Sequence, residues 1–253
     1  MRSRNPDCPS YVFSGQLTVA DCKRHIRLPF KVPPGTTGLE IGFRFEPWKV
    51  MDIKNKVTVS LYEPSGAFRG TSTRGASEKA IRLSSGHADE GFFPGHLPAG
   101  EWRAELDTFV IMPGPSISYE MRIQISDQPE PEARRRLQLP GKTLRRSAGW
   151  YRGDLHLHTN HSDGHMSVAE LLDTARQHGL DFVALTDHNN ITQLYHDDLK
   201  GVDDLVVIPG MELTTYYGHA LSLGTAGWID WRVGQDGRTL QDAADEVHAQ
   251  GGL

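Results

Sequence analysis

The first half of the chain alternates apolar and polar residues with a period of two, and turns rich in glycine and proline separate the alternating segments. The alternation is clearest at 39–45, 57–62, 102–106 and 116–125. It places the apolar side chains on one face, as a half-buried antiparallel strand requires. Repeated strands of this kind predict an all-β sandwich or jelly roll over residues 9–126.

After Trp150 the pattern changes to strands that alternate with helices. The apolar runs 182–185 and 205–208 lack alternation, which is typical of parallel strands covered by helices on both faces. Residues 150–253 are therefore predicted to form an α/β barrel or layered sheet. The chain stops at Leu253, where the next strand is expected, so we interpret this part as the beginning of a longer, C-terminally truncated domain.

Two helices are predicted in this second part. The first follows the capping box of Ser167 and Glu170 and ends at Gly179. The second is capped by Thr239 and covers residues 240–250. The predicted buried faces are Val168, Leu171, Leu172 and Ala175 in the first helix, and Leu240, Ala243, Ala244 and Val247 in the second.

Residues 127–149 separate the two parts. They contain three prolines and the basic clusters 134–136 and 145–146 among few aromatic residues. We interpret them as a solvated linker, and a basic patch for an anionic partner is the alternative.

The overall composition excludes several classes of protein. A net charge of −5 over 253 residues does not predict nucleic-acid binding. No apolar run reaches the roughly 18 residues of a membrane-spanning helix, and no signal peptide is visible, so a cytoplasmic protein without membrane contact is the default expectation. Cys8 and Cys22 are expected to be free thiols, with a disulfide as the alternative.

Histidine is concentrated in the second part, where nine of the 12 histidines lie between His156 and His248. His156 and His158 are two residues apart on a predicted strand, so both imidazoles project from one face while Leu155 and Leu157 point into the packing. Two adjacent imidazoles are a natural start to a transition-metal site, although this pattern alone is a weak signal.

Further metal-binding side chains follow in order along the chain. Asp163 lies in a Ser-Asp-Gly turn, and His188 follows the strand 182–185. Glu212 follows the strand 205–208, and His219 opens another strand. Polar residues at successive strand ends line the site of α/β folds, which predicts a metal site. The mixed donor set suits Zn, Mn or Fe better than Mg or Ca.

The remaining polar residues are open to two interpretations each. Asp154 orients a ligand imidazole or caps a strand. Asp187 is the candidate catalytic residue, as a proton carrier or a partner of a ligand, and a turn-forming role is the alternative. The other histidines of this part are predicted to be surface or loop residues: His161, His165, His178, His196 and His248.

In their order, these motifs resemble the PHP superfamily, named for polymerase and histidinol phosphatase. The matching motifs are Asp154-Leu155-His156-Leu157-His158-Thr159, Ser162-Asp163-Gly164, Thr186-Asp187-His188-Asn189, Gly210-Met211-Glu212 and Gly218-His219. The resemblance extends from about Tyr151 to Leu253. A β-rich domain before such a module resembles the carbaryl-hydrolase-like metallohydrolases.

The resemblance implies a distorted (β/α)7 barrel with two or three divalent ions. In the matching positions, His156 and His158 bind one ion, and Glu212 bridges it to a second ion that His219 helps to hold. Asp163 and His188 hold the third. The later ligands of the family, a histidine and an Asp-x-His, have no counterpart before Leu253.

The predicted function is divalent-metal-dependent hydrolysis of a small-molecule ester by a metal-activated water, with a phosphoester as the first choice. Carboxylester or carbamate hydrolysis is the alternative that the carbaryl-hydrolase likeness implies. A catalytically silent, metal-stabilised binding module is a further alternative.

In the first domain, Trp48 and Trp102 form a platform for carbohydrate or protein, or belong to its core.

Overall fold

The computed structural model describes residues 9–128 and 148–253, which belong to two compact units, Met1–Arg135 and Arg136–Leu253. Most of the predicted linker, including both of its arginine clusters, lies outside the described residues, as does Cys8. Cys22 carries a free thiol. Within the described ranges, no helix combines the length and the apolar character that a membrane crossing requires.

The first unit consists of antiparallel strands. They are β1 (Ser10–Leu17), β2 (His25–Val32), β3 (Gly38–Glu46), β4 (Lys49–Val50), β5 (Ile53–Lys54), β6 (Lys56–Tyr62), β7 (Phe68–Thr71), β8 (Glu78–Ser84), β9 (Gly100–Val110) and β10 (Ile117–Ser126). Two four-stranded sheets have the orders β1-β10-β3-β8 and β2-β9-β6-β7, and β4 pairs with β5. The all-β prediction agrees with this architecture, although the sequence pattern identified only β3, β6, β9 and β10.

Residues from both sheets share one hydrophobic core, as a β-sandwich requires. Along β3, buried apolar residues such as Ile41 and Phe43 alternate with exposed residues such as Glu40 and Arg44. Trp102 is fully buried in this core, which confirms its interpretation as a core residue over the alternative of a binding platform, whereas Trp48 is half-buried. Trp102 points inward because it alternates with the outward-facing residues of β9.

Lys79 is a cation at a core position of β8. Its Nζ donates hydrogen bonds to the carbonyl oxygens of Val57 at 2.9 Å and Ala76 at 2.7 Å. The same Nζ lies 5.2 Å and 5.3 Å from the ring centroids of Phe43 and Phe45. Burial lowers the pKa of this amine from 10.5 to about 7. The folded chain therefore holds the amine with fewer protons than the unfolded chain at mildly alkaline pH.

The difference in protons bound at Lys79 between the folded and unfolded states predicts that stability depends on pH. Between about pH 7 and 10.5 the unfolded state binds the extra proton, so Lys79 makes the free energy of unfolding rise with pH by up to about 1.4 kcal/mol per pH unit. Urea denaturation of Lys79→Met should lack this rise relative to the parent protein. Lys31→Met, at an exposed position of β2, is the control and should follow the parent curve. Parallel curves for the parent and Lys79→Met would contradict the assignment.

The second unit contains one four-stranded sheet and two helices in its described residues. Its elements are β11 (Gly153–Leu157), α1 (Val168–Gln177), β12 (Phe182–Leu185), β13 (Val206–Thr214), β14 (His219–Leu223) and α2 (Leu240–Ala249). The sheet order is β11-β12-β13-β14. β11, β12 and β13 are parallel, and β14 is antiparallel to β13. The described residues show part of an α/β arrangement; a closed barrel is not among them.

Both helices begin at the predicted N-caps, Ser167 and Thr239, and the predicted buried face of α1 is confirmed. In α2 only Ala243 and Val247 are buried, and Leu240 is 56% exposed. Leu240 and Val247 lie only about 20° apart around the helix axis, so the exposure of Leu240 comes from its place in the first turn. Leu155 is 44% exposed, contrary to the prediction.

Candidate metal centre

Strand pairing brings the predicted ligands to one edge of the sheet. β11 and β12 are in register at Leu157 and Leu185, and the residues that follow each strand carry side chains of the site. Beyond the end of β12, His188 pairs with Glu212 in a parallel bridge. Glu212 lies within β13, which continues to Thr214 as the partner of β14, so the prediction that Glu212 follows a strand end was wrong. Pairing with β14 extends this strand beyond the apolar run.

Glu212 is surrounded by four imidazoles. Its Oε2 lies 2.8 Å from His158 Nε2, 3.1 Å from His156 Nε2 and 2.9 Å from His188 Nδ1. Its Oε1 lies 2.6 Å from His219 Nδ1. The Glu212 side chain is only 3% exposed, whereas the rings of His156 and His219 are 49% and 44% exposed. The carboxylate therefore lies at the base of the cluster, and the solvent side is formed by these two rings.

Asp163 joins the same cluster from the loop after β11. Its Oδ1 lies 3.0 Å from His158 Nδ1, and its Oδ2 lies 3.3 Å from His188 Nε2. The next residue, Gly164, packs so tightly that a Cβ atom there would lie 2.3 Å from the carbonyl oxygen of His158. The Ser-Asp-Gly motif thus needs glycine to bring Asp163 back against the end of β11.

These residues form three overlapping trios of possible metal ligands. They are His156, His158 and Glu212; His158, Asp163 and His188; and His188, Glu212 and His219. Within each trio the ligand atoms lie within 4.8 Å of one another. Imidazole nitrogens and carboxylate oxygens are the donors that Zn, Mn and Fe share. The donor atoms and their spacing therefore fit divalent ions. Because the trios share residues, the cluster has room for ligands to more than one ion.

Mutual pairing of the imidazoles and carboxylates shifts their pKa values. Burial raises the pKa of Glu212, but hydrogen bonds from His158 and His188 outweigh it and hold the pKa far below its usual range. Hydrogen bonds from His158 and His188 likewise outweigh burial at Asp163 and hold the pKa of its carboxyl far below its usual range. Burial lowers the pKa of His158, but its bonds to the two carboxylates raise it to about 9. Both carboxylates are therefore ionised, as metal ligands must be.

Asp187 is fully buried beside the cluster and belongs to none of the three trios. Its Oδ1 accepts hydrogen bonds from Thr159 N at 2.9 Å and Ser162 Oγ at 2.6 Å, and its Oδ2 accepts one from Thr159 Oγ1 at 2.9 Å. Burial raises its pKa, although these bonds act in the opposite direction. Asp187 thus ties the loop carrying Asp163 to the end of β12.

Asp154 contacts the main chain of a predicted ligand. Its Oδ1 accepts a hydrogen bond from the backbone N–H of His156 at 2.9 Å, and Asp154 itself is exposed. This contact lies within β11 and involves the backbone of His156, not its imidazole.

His161 is buried, so its prediction as a surface residue was wrong. Its Nδ1 lies 2.8 Å from Thr192 Oγ1, and Asn190 Nδ2 donates to its carbonyl oxygen at 3.2 Å. Burial and, to a lesser extent, the neighbouring His196 ring together lower the pKa of His161 to about 3. The loop after β11 turns inward here, which the residue spacing did not indicate. His165, His178 and His248 are exposed as predicted, and His196 lies between two short 3-10 turns.

Thr214 is a residue of the site that the sequence reasoning missed. Its hydroxyl forms a hydrogen bond with Nδ1 of His188. Thr214 lies two residues after Glu212 on β13, so both side chains project from the same face. That period of two, extended past Glu212, is the signal that would have identified it. Orientation of a ligand imidazole by such a partner is a regular feature of metal sites.

Comparison with known families agrees with this geometry. The profile of the PHP domain matches residues 154–248, which contain all six predicted ligands. The match supports PHP superfamily membership and indicates a metal-dependent hydrolase. No curated protein matches the chain.

Similarities to solved structures are weak. PliG of Aeromonas hydrophila, a periplasmic lysozyme inhibitor of g-type lysozyme, is 11% identical with a TM-score of 0.28, covering 49% of this chain and 93% of its own. The VP2 subviral particle of infectious bursal disease virus is 16% identical with a TM-score of 0.27, covering 48% and 34%. An arabinose-bound α-L-arabinofuranosidase is 13% identical with a TM-score of 0.24, covering 43% and 18%.

Proposed function

We propose that this protein is a phosphoesterase that binds two or three divalent ions of the Zn, Mn or Fe class. The main support is the position of Glu212, a buried carboxylate whose two oxygens face four imidazole nitrogens. An arrangement that serves packing alone has no need of four titratable rings around one carboxylate. The PHP match over residues 154–248 supports the same chemistry.

The residues present assign separate roles in holding the ions. His156, His158 and Glu212 would hold one ion, and Glu212 with His219 would hold a second. Asp163 and His188 would hold the third, and the hydrogen bond from Thr214 would orient the His188 ring. When bound, such ions lower the pKa of a bound water from 15.7 to roughly 7 and polarise the oxygen of the scissile bond.

Substrate approaches from the side of His156 and His219, because these are the most exposed ligands. The opposite side is closed by Glu212 and by Asp187, which are 2% and 0% exposed. Exclusion of water on the buried side strengthens electrostatic interactions there. The geometry thus supports an open reaction face above a buried base.

Carboxylester or carbamate hydrolysis is the second candidate, supported by the β-sandwich unit that precedes the PHP domain. The same donor set would polarise a carbonyl oxygen as well as a phosphoryl oxygen. A silent binding module is disfavoured because all six early ligands are present and brought together.

Hydrolysis assays with Mn²⁺ or Zn²⁺ distinguish these candidates. We expect turnover of p-nitrophenyl phosphate or bis-p-nitrophenyl phosphate, lost with a chelator and restored by metal. Turnover of naphthyl esters alone would favour the second candidate. Bound metal, shown by elemental analysis, without turnover of any of these substrates would leave the binding module as the function.

Asp187→Asn tests whether Asp187 positions the site or carries a proton. The amide replaces one accepting oxygen with a donor facing Thr159 or Ser162, so we expect metal affinity to fall by about 10–100-fold. The lost hydrogen bonds should lower the free energy of unfolding by about 1–3 kcal/mol. Equilibrium dialysis with Zn²⁺ measures the affinity, and exposed Asp203→Asn is the matched control. Wild-type affinity combined with lost turnover would instead identify a proton carrier.

A further inference from the structure

The first unit contains a second convergence of metal-binding side chains, far in sequence from the PHP motifs. His25 opens β2, and Glu105 and Asp107 lie on the neighbouring strand β9. His25 is the register partner of Asp107, and Arg27 is the partner of Glu105. All project from the face opposite the hydrophobic core, because they alternate with core residues of the same strands. Even so, both carboxylates are fully buried.

Each carboxylate directs one oxygen at the imidazole. His25 Nδ1 lies 2.7 Å from Asp107 Oδ1 and 3.5 Å from Glu105 Oε1. The distance from His25 to Asp107 lies within the range of 2.6 to 3.1 Å between Glu212 and its imidazoles, and the distance from His25 to Glu105 is longer. The ligand atoms of the three residues lie within 4.8 Å of one another. A tetrahedral ion with bonds of about 2.0–2.2 Å holds its ligand atoms roughly 3.3–3.6 Å apart, so His25 Nδ1 and Asp107 Oδ1 would have to separate from 2.7 Å to admit one.

The other oxygen of each carboxylate contacts hydroxyl or guanidinium groups instead of the imidazole. Asp107 Oδ2 accepts hydrogen bonds from Ser60 Oγ at 2.6 Å and Thr58 Oγ1 at 3.2 Å. Glu105 Oε2 lies 3.4 Å from Arg103 Nε and 3.8 Å from Arg27 Nε. Outer partners of this kind orient ligand carboxylates in metal sites. Asp107 Oδ1 and Glu105 Oε1 therefore both face His25 Nδ1.

We propose that His25, Glu105 and Asp107 form a divalent-cation site of the Zn²⁺ class in the β-sandwich unit, separate from the PHP cluster. Three protein ligands leave a position for water, as in open zinc sites. Arg27 and Arg103 offset part of the negative charge, so this site binds its ion more weakly than the PHP cluster. The alternative is that no ion binds and that a protonated His25 imidazole pairs directly with the two carboxylates at these distances.

Zn²⁺ binding by the whole chain tests this assignment. We expect His25→Gln to bind one Zn²⁺ per chain fewer than the parent in equilibrium dialysis, with the PHP activity retained. His87→Gln, an exposed histidine of the same unit, is the control and should bind the full complement. Equal stoichiometry of the parent and His25→Gln would overturn the proposal and leave the imidazolium as the occupant.

A second measurement does not depend on the folding of the variant. In ¹⁵N-histidine-labelled parent protein, Zn²⁺ should shift the His25 ring resonances at concentrations above those that saturate the PHP ligands. Asp107→Asn should abolish the shift if it folds. Unchanged His25 resonances at saturating Zn²⁺ would reject the site whatever the variants do, and the PHP resonances report separately on the proposed hydrolase centre.

Discussion

The Glu212→Gln variant is expected to lose metal binding and, with it, hydrolysis. The amide keeps the volume of the side chain but replaces one oxygen with an NH₂ group, which cannot bind a cation. Because Oε2 faces three imidazoles and Oε1 a fourth, either orientation of the amide disrupts at least one trio. We expect at least the roughly 10–100-fold loss of metal affinity that removal of an outer partner causes.

Thermal denaturation with and without Zn²⁺ checks this expectation. At a free concentration of about 100 times its dissociation constant, an ion stabilises the folded state by about 2.7 kcal/mol, and this gain should disappear in the variant. Glu101→Gln, exposed on β9, is the matched control and should keep it. A Glu212→Gln protein with the parental number of ions and parental affinity would refute the bridging role.

The Arg69→Met variant is expected to destabilise the β-sandwich unit by about 3–5 kcal/mol, the cost of removing one partner from a buried ion pair. The Arg69 side chain is fully buried on β7, and its Nη1 lies 2.6 Å from Glu63 Oε1. Its guanidinium also donates to the carbonyl oxygens of Phe93, Gly95 and His96 and lies over the Trp102 ring. Methionine fills the space but leaves the carboxylate and three carbonyls without this donor.

Urea denaturation combined with hydrogen exchange of peptides from β6, β7 and β9 measures this unit separately. Arg82→Met on β8 is the control, since its side chain is exposed, and should stay within about 0.5 kcal/mol of the parent. A loss of less than about 1 kcal/mol in Arg69→Met would show that water replaces the guanidinium at those acceptors.

Features that depend on near neighbours in the chain were predictable. The period of two identified β3, β6, β9 and β10, and the capping box at Ser167 and the N-cap Thr239 identified the starts of the two helices. Strands such as β7 and β8 were not recognised. β7 carries a buried Arg69 and β8 a buried Lys79, cations at positions where the pattern requires an apolar residue.

The sequence by itself determined the types and the order of the candidate metal ligands, because these are read directly from the chain. It also indicated that His156 and His158 share a face. Only the tertiary structure decided which atoms meet. Parallel pairing places His188 beside Glu212, and antiparallel pairing with β14 places Glu212 within a strand. Register between distant segments has no local signature.

Burial was likewise decided by packing over long separations. His161 turned out to be buried and Leu155 exposed, although their local patterns indicated the reverse. His25 and Asp107 meet across 82 residues of sequence. Such contacts depend on which faces the strands present to one another. Local residue patterns specify which side chains alternate along a strand. The register between distant strands specifies which side chains of neighbouring strands meet.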